Sequence, residues 1–234
     1  MLEKYSFKND VPRDDFGLGI LIAQEISLEA PRPSLEEKLG QIIERRKAGP
    51  LSEKEERFRA QSRNMLRNGE YKPTGRSKPA SEYLLRAVLS EEFPRINAPV
   101  DIINYISLKC MVPISLWDTD LAKSEAFVFR LGRPDESYVF NSADQVISLH
   151  DLICGFAVQD GVERPIVTPI KDSLATKTTQ QTRNVAAVIY YPLAAGEKEE
   201  LEEMLEEMAQ LMKEIQAKKV AYTTRLPEKR TLDG

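Results

Sequence analysis

The chain of 234 residues holds a single histidine, two cysteines and one tryptophan. Two cysteines, Cys110 and Cys154, can neither frame a disulfide-stapled fold nor complete a four-thiolate zinc site. One histidine, His150, with Asp151 beside it at the end of an apolar run, is a poor basis for a catalytic triad or a His-rich metal centre, so a structural or solvent-facing place is expected for it. No apolar run approaches the roughly 20 residues that cross a bilayer. The first residues, Met-Leu-Glu-Lys-Tyr-Ser-Phe-Lys, lack the basic and apolar regions of a signal peptide. A cytoplasmic location without membrane partners is therefore expected. Also lacking are a Gly-x-Ser-x-Gly elbow, a phosphate-cradling glycine loop and a His-Glu-x-x-His helix. The common signatures of hydrolases, nucleotide-binding enzymes and zinc proteases are thus missing, and neither metal nor cofactor is implied.

What is present is charge, unevenly placed. Charged residues make up 30% of the chain and the net charge is −4, which argues against a simple nucleic-acid-coating protein. Yet eleven Lys/Arg face four Glu between Arg45 and Lys78, and eight Glu face two Lys between Glu197 and Glu214. The first stretch is a candidate phosphate-binding face or else a solvated helix surface.

Hydrophobic periodicity divides the chain. Phe16 to Ala23 reads as a strand within an extended first thirty residues. Ser34-Leu-Glu-Glu37 resembles a capping box, with Leu35, Leu39, Ile42 and Ile43 as the stripe behind it. Gly49-Pro50 ends that helix and Ser52-Glu-Lys-Glu55 opens a second. A third runs from Ser81, and a fourth starts at Asn97-Ala-Pro99, because asparagine caps well and proline suits the first turn. On that fourth helix Asn104 falls beside the apolar face, as a structural clamp or a site residue. After Pro113 short β-like runs follow one another to Tyr191. A last amphipathic stripe, Leu201 to Ile215, predicts a helix that docks on the body or on a second copy of the chain.

Helices first and strands later predict an α+β fold. The expected layout is one domain over residues 1–195, with a helical, basic part at about 34–111 and a β-rich part at about 113–192. A C-terminal amphipathic helix is expected over 196–222 and a loose tail over 223–234.

Two stretches are chemically dense. Lys171 to Asn184 places four threonine hydroxyls, two glutamine amides and three cations between apolar runs; it can bind a ribose, a phosphate or a small amino acid, or be a plain polar loop. Pro94 to Lys109 repeats Asn97, Asp101, Asn104, Ser107 and Lys109 along one helix start, which capping and one satisfied core amide would equally explain.

Taken together and in order, Ser81-Glu-Tyr-Leu-Leu-Arg-Ala, Pro94-Arg-Ile-Asn, Val100-Asp-Ile-Ile-Asn-Tyr-Ile-Ser-Leu-Lys, Pro113-Ile-Ser-Leu-Trp-Asp118 and Thr176-Lys-Thr-Thr-Gln-Gln-Thr-Arg-Asn-Val resemble the combined B-three/B-four domain of the beta subunit of bacterial phenylalanyl-tRNA synthetase, and especially its stand-alone relatives. The resemblance spans about Thr74 to Pro192. It implies a strongly curved, barrel-like mixed sheet flanked by helices. It also implies hydrolysis of the ester of mischarged tRNA, by a positioned water in a polar pocket. Carried onto this chain, Asp172, Thr176 and Thr179 would act in catalysis. Asn104, Ser107, Ser115, Thr182 and Asn184 would line the substrate pocket. Arg45, Arg46, Arg57, Arg63, Arg67, Lys72, Arg76 and Lys78 would hold the RNA backbone. Ser115 stands where the synthetase motif Pro-Leu-His-Ala-Phe-Asp has its histidine, and Thr168-Pro-Ile-Lys-Asp-Ser replaces a Gly-Gly-Glu segment. A trans-acting deacylase, a non-catalytic RNA-binding module and an amino-acid-binding protein are the three functions this leaves open, the last two without turnover.

Overall fold

Strand β2 (Phe16–Gln24) shows how the layers are built. Its side chains alternate across the sheet: Leu18, Ile20 and Ile22 enter one core, Leu21 and Ala23 the other. Strand β9 (Asn184–Pro192), antiparallel to β2 from Phe16↔Pro192 to Gln24↔Asn184, does the same. Val185, Ala187, Ile189 and Tyr191 face one core, and Ala186, Val188 and Tyr190 the other. A strand buried on both faces must read as a continuous apolar run, as these two do.

The computed structural model describes residues 1–90 and 92–227. In chain order its helices are α1 (Pro33–Ala48), α2 (Glu53–Asn64), α3 (Ala80–Ser90), α4 (Ala98–Cys110), α5 (Thr119–Ala122) and α6 (Lys198–Glu214). The remaining strands are β1 (Ser6–Asn9), β3 (Ile114–Asp118), β4 (Ala126–Leu131), β5 (Ser137–Val139), β6 (Val146–Ser148), β7 (Ile153–Gln159), β8 (Val162–Val167) and β10 (Lys219–Arg225). One sheet has the order β10-β2-β9-β3, a second β1-β4-β7-β8, and β5 and β6 make a separate hairpin. Only β1 and β4 pair in parallel within the four-stranded sheets.

Three layers result. The second sheet packs on one face of the first through Phe7, Phe127, Phe129 and Phe156 against Phe16, Leu18 and Tyr190, while α1, α4 and α6 cover the other face. The α+β class is as expected. The curvature is not that of a closed barrel: among the described residues no hydrogen-bonded ladder joins the two sheets. Their edges approach instead, β3 beside β8 and β1 beside β10, where Arg225 Nε donates to the Phe7 carbonyl at 3.0 Å.

Of the three helix caps expected from the sequence, two form. Ser52 and Glu55 form the reciprocal capping box, and Asn97 accepts from the Val100 amide with proline in the first turn. Ser34 caps nothing. Helix α1 begins two residues earlier, at Pro33, Arg32 is the cap residue, and the Ser34 amide donates to Glu214 of α6 at 2.8 Å. The C-terminal helix also ends short of the expected 222. Gln216 turns the backbone left-handed (φ 63°), and Lys219 to Arg225 returns as β10 along β2. Residues 223–225, expected in a loose tail, are thus in a strand, and 228–234 lie outside the described residues.

Helix α6 spends its apolar stripe on its own chain. Leu201, Met204, Leu205, Met208, Leu211 and Met212 are all buried in the helix-side core. Gly19 lets it approach β2, since a Cβ there would lie 2.6 Å from Leu201 Cδ1. Glu207 then accepts from Lys38, Tyr105 and Lys109, pinning α6 to α1 and α4. Of the two docking partners expected for this helix, the body takes the stripe, and a second copy would not find it free. Among the described residues no helix is long and apolar enough to cross a membrane.

Candidate functional site

Strand β3 is the axis around which the site residues gather. Ser115, on the face turned to the second sheet, is 1% exposed. Its hydroxyl donates to the Thr168 carbonyl at 2.9 Å and lies 3.2 Å from the Tyr190 hydroxyl. The next residue, Leu116, donates its amide to Asp172 Oδ2 at 3.2 Å. At the strand's end Asp118 Oδ1 caps α5, accepting from Asp120 and Leu121. Asp118 Oδ2 accepts from the Thr182 hydroxyl at 2.6 Å, and Thr182 Oγ1 in turn accepts from the Thr179 amide. The loop from Thr168 to Thr182 is thus stitched to β3 at three heights.

The turn that carries Asp172 is organised by Thr168. Its hydroxyl accepts from the Ile170 and Lys171 amides and lies 2.8 Å from the Lys171 carbonyl. Tyr138, from the β5–β6 hairpin, donates to the same carbonyl at 2.5 Å. Asp172 itself is half-buried, but its Oδ1 is shut from solvent and has no hydrogen-bond partner. Burial pushes its carboxyl up to about 6, against the opposing effects of Ser115, the Leu116 amide and Lys177. Thr176, 0% exposed, likewise has an unpartnered hydroxyl. Buried polar groups without partners are uncommon in folded proteins, and Ser81, Trp117 and Thr119 carry them too, so it is the pairing of Asp172 with Thr176 on one loop that makes these two candidates for ligand contact.

The other expected pocket residues divide. Thr179 is exposed, its hydroxyl accepting from the Gln181 amide. Asn184 joins Asp120 Oδ2 to the Glu25 amide. Ser107 donates to the Val112 carbonyl at 2.6 Å and so ties off the end of α4. Asn104 is half-buried on α4, and Asn97 links the same helix to the loop by donating to Thr178 Oγ1 at 3.0 Å. A cleft of about 590 Å³ beside α5, lined by Lys4, Thr119, Asp120, Ser124 and Glu125 among others, includes none of Asp172, Thr176 or Thr179. His150 is half-exposed, 3.6 Å from Asp151.

The basic stretch also divides, for electrostatic reasons. Arg46, 3% exposed, donates to the Leu108 and Lys109 carbonyls and to Glu55, closing the C-terminal end of α4. Arg45 pairs with the same Glu55, Arg63 with Glu82 through two nitrogens, and Arg57 donates to the Ala195 carbonyl. These four, expected on RNA, are partly or wholly engaged within the fold. Arg67, Lys72 and Arg76 are exposed, Lys78 half-buried, and no ion pair engages any of the four among the described residues.

Sequence reading missed Lys171, Lys177 and Phe140. Lys171 Nζ sits 3.8 Å from the Phe140 ring centroid, and Lys177 Nζ donates to the Phe140 carbonyl at 2.6 Å. The lysines were visible as charges in a polar loop. Phe140, some thirty residues earlier and in a separate hairpin, gave no local sign of joining them.

The B3/4 domain family matches residues 72–217. The chain belongs to the B3/4 domain family. That is the family its motifs between Ser81 and Pro192 resemble, and the match covers β3, the Thr168–Thr182 loop and α6 alike. Among solved structures, an N-terminal fragment of the phenylalanyl-tRNA synthetase beta subunit from Pyrococcus horikoshii is similar, with a TM-score of 0.48 at 10% identity. The similarity covers 94% of this chain and 50% of that one, so the chain spans about half the length of that fragment. No curated protein matches it.

Proposed function

We propose that this B3/4 domain acts on aminoacyl-tRNA and hydrolyses the ester of a mischarged one. The observation that carries the reading is Asp172: a carboxylate held by a backbone amide through one oxygen, with the other unpartnered and its affinity for protons raised towards neutrality. A carboxylate of that kind suits general-base work near pH 7.

In this reading Asp172 Oδ1 takes a proton from water as the water oxygen attacks the ester carbonyl carbon. The carbon–oxygen bond to the ribose breaks, and the departing ribose oxygen recovers the proton. Thr176 helps to orient the water, and Thr179, at the exposed end of the loop, meets the ribose. Asn104 and Asn184 lie on the elements that flank the loop and are assigned to the amino-acid side. Arg67, Lys72, Arg76 and Lys78 supply backbone contacts, while Arg45 and Arg57 add charge at the edge. Because Asp172 Oδ1 and Thr176 Oγ1 have no solvent access in this structure, the Lys171–Thr182 loop has to shift for substrate to reach them.

The test is a panel of mischarged tRNAs incubated with the wild-type protein and with Asp172→Asn. Hydrolysis above the buffer rate by the wild type, lost in the variant, supports the reading; no hydrolysis on any member overturns it. A second reading, an RNA-binding module without turnover, is favoured by Ser115. The residue at the synthetase's histidine position is turned into the core against Thr168 and Tyr190. It predicts retention of tRNA in a gel assay with no deacylation.

A further inference from the structure

Beside Asp172 three cations converge without matching carboxylates. Lys171 and Lys177 are brought around a single residue, Phe140, one over its ring and the other on its carbonyl. Arg76 comes from a different part of the chain. It stands in the 3-10 turn Gly75–Ser77, which the Tyr71 hydroxyl holds by donating to the Ser77 carbonyl at 3.1 Å. The Ala80 amide then donates to the Pro169 carbonyl at 2.9 Å, which fixes that segment against the Asp172 turn. No carboxylate is within ion-pair reach of any of the three among the described residues.

Such an arrangement is unfavourable in the free protein. Lys171 is half-buried, and burial, Arg76 and Lys177 together hold its ammonium below the usual lysine range. Asp172 supplies one negative charge near Lys177, but it is committed to the Leu116 amide. A monoanion already exists there; what remains unmatched is about two positive charges at the mouth of the loop. Several cations drawn partly out of water elsewhere meet carboxylates: Arg46 with Glu55, Arg63 with Glu82, Arg95 with Glu36 and Asp101. The convergence of Lys171, Lys177 and Arg76 without such partners therefore singles out a place where an external anion would relieve the repulsion.

We infer that Lys171, Lys177 and Arg76 form a seat for a phosphate group, with Phe140 as the platform that holds the two lysines in register. Phosphate fits better than carboxylate because three separated donors can engage different oxygens of one tetrahedral group. The inference deepens the tRNA reading by naming the substrate group held beside Asp172, and rests on that reading only for choosing RNA as one probe.

The test titrates the full chain with three probes: adenosine, 5′-AMP and a short single-stranded RNA ending in CCA. Calorimetry is run on wild type, on Lys171→Gln/Lys177→Gln, on Lys171→Arg/Lys177→Arg and on Lys198→Gln, a remote surface control. AMP is expected to bind where adenosine does not. The glutamine pair should lose at least tenfold in affinity for AMP, the arginine pair and Lys198→Gln little. With the RNA, the glutamine pair should lower the salt slope of log affinity by about 0.7, the value for one phosphate contact on a single strand. AMP binding without RNA binding would support the seat and assign it to a free nucleotide. Equal binding by wild type and the glutamine pair, or equal binding of AMP and adenosine, would overturn it. Asp172→Asn, included in parallel, should keep AMP binding. Wild type that binds AMP as expected yet never deacylates would refute the hydrolytic reading and leave the seat standing; unchanged affinity in the glutamine pair would do the reverse.

Discussion

Replacing Asp172 by asparagine should make this protein more stable as the pH rises, relative to wild type. The carboxyl is raised in the folded state from 3.8 to about 6, chiefly by burial. A group raised in this way binds its proton more tightly folded than unfolded, so stability falls as pH climbs from about 4 to about 6 and levels off above. Each tenfold gain in proton affinity on folding corresponds to about 1.36 kcal/mol, so the full effect is roughly 3 kcal/mol. Residual solvent access to a half-buried residue reduces that to about 1–2 kcal/mol. Asparagine cannot ionise and escapes this penalty, while its amide oxygen can still accept from the Leu116 amide. The assay is urea denaturation of both proteins at several pH values between about 4 and 8. The offset at the acid end reports how well the amide fits; the prediction concerns the pH-dependent part. The difference, variant minus wild type, should grow by about 1–2 kcal/mol between pH 4 and 7 and then stay flat. Taking the difference removes the opposite trend of Asp15 and Glu36, which arginines hold below the usual carboxylate range. A difference that is flat with pH, or that shrinks as pH rises, would refute the claim that Asp172 is ionised at a cost.

Three further outcomes follow from the packing. Arg46→Met should cost about 3 kcal/mol or more, because Glu55 and two helix-end carbonyls lose a buried partner, whereas Arg45→Met should cost less than about 1 kcal/mol at its exposed end of the same pair; thermal or urea melts compare them. Ser52→Ala should lose about 1 kcal/mol with the capping box, and Ser34→Ala almost nothing, since Ser34 uses its backbone amide and not its hydroxyl. Gly132→Ala should destabilise by about 1–3 kcal/mol in a urea melt, because a Cβ there would stand 2.1 Å from the Leu149 carbonyl oxygen.

Local chemistry made the middle of the chain readable. Asn97 with Pro99, Ser52 with Glu55, and the apolar alternation of β2 and β9 each carry their cause within a few residues. What depended on distant partners was not readable. The run Lys219-Val-Ala-Tyr-Thr-Thr-Arg225 looks like a helix tail until it meets β2, some two hundred residues earlier, and only that pairing makes it a strand. Ser34 fails as a cap because Glu214 is waiting for its amide. The basic stretch shows the same limit: a count of charges cannot tell that Arg46 turns inward to close α4 while Arg67, Lys72 and Arg76 stay out. At the site, Asp172, Thr176 and Ser115 were named from the sequence, and the structure sets Asp172 and Ser115 along β3. The raised proton affinity of Asp172 and the Phe140 platform arise from folding alone.

The most direct measurement of the central claim is the rate of deacylation across the mischarged tRNA panel, wild type against Asp172→Asn, at neutral pH. Hydrolysis above the buffer rate for at least one pairing, abolished by the substitution in a protein that remains folded, is the predicted result. Hydrolysis absent from every pairing, or retained undiminished by Asp172→Asn, would contradict it.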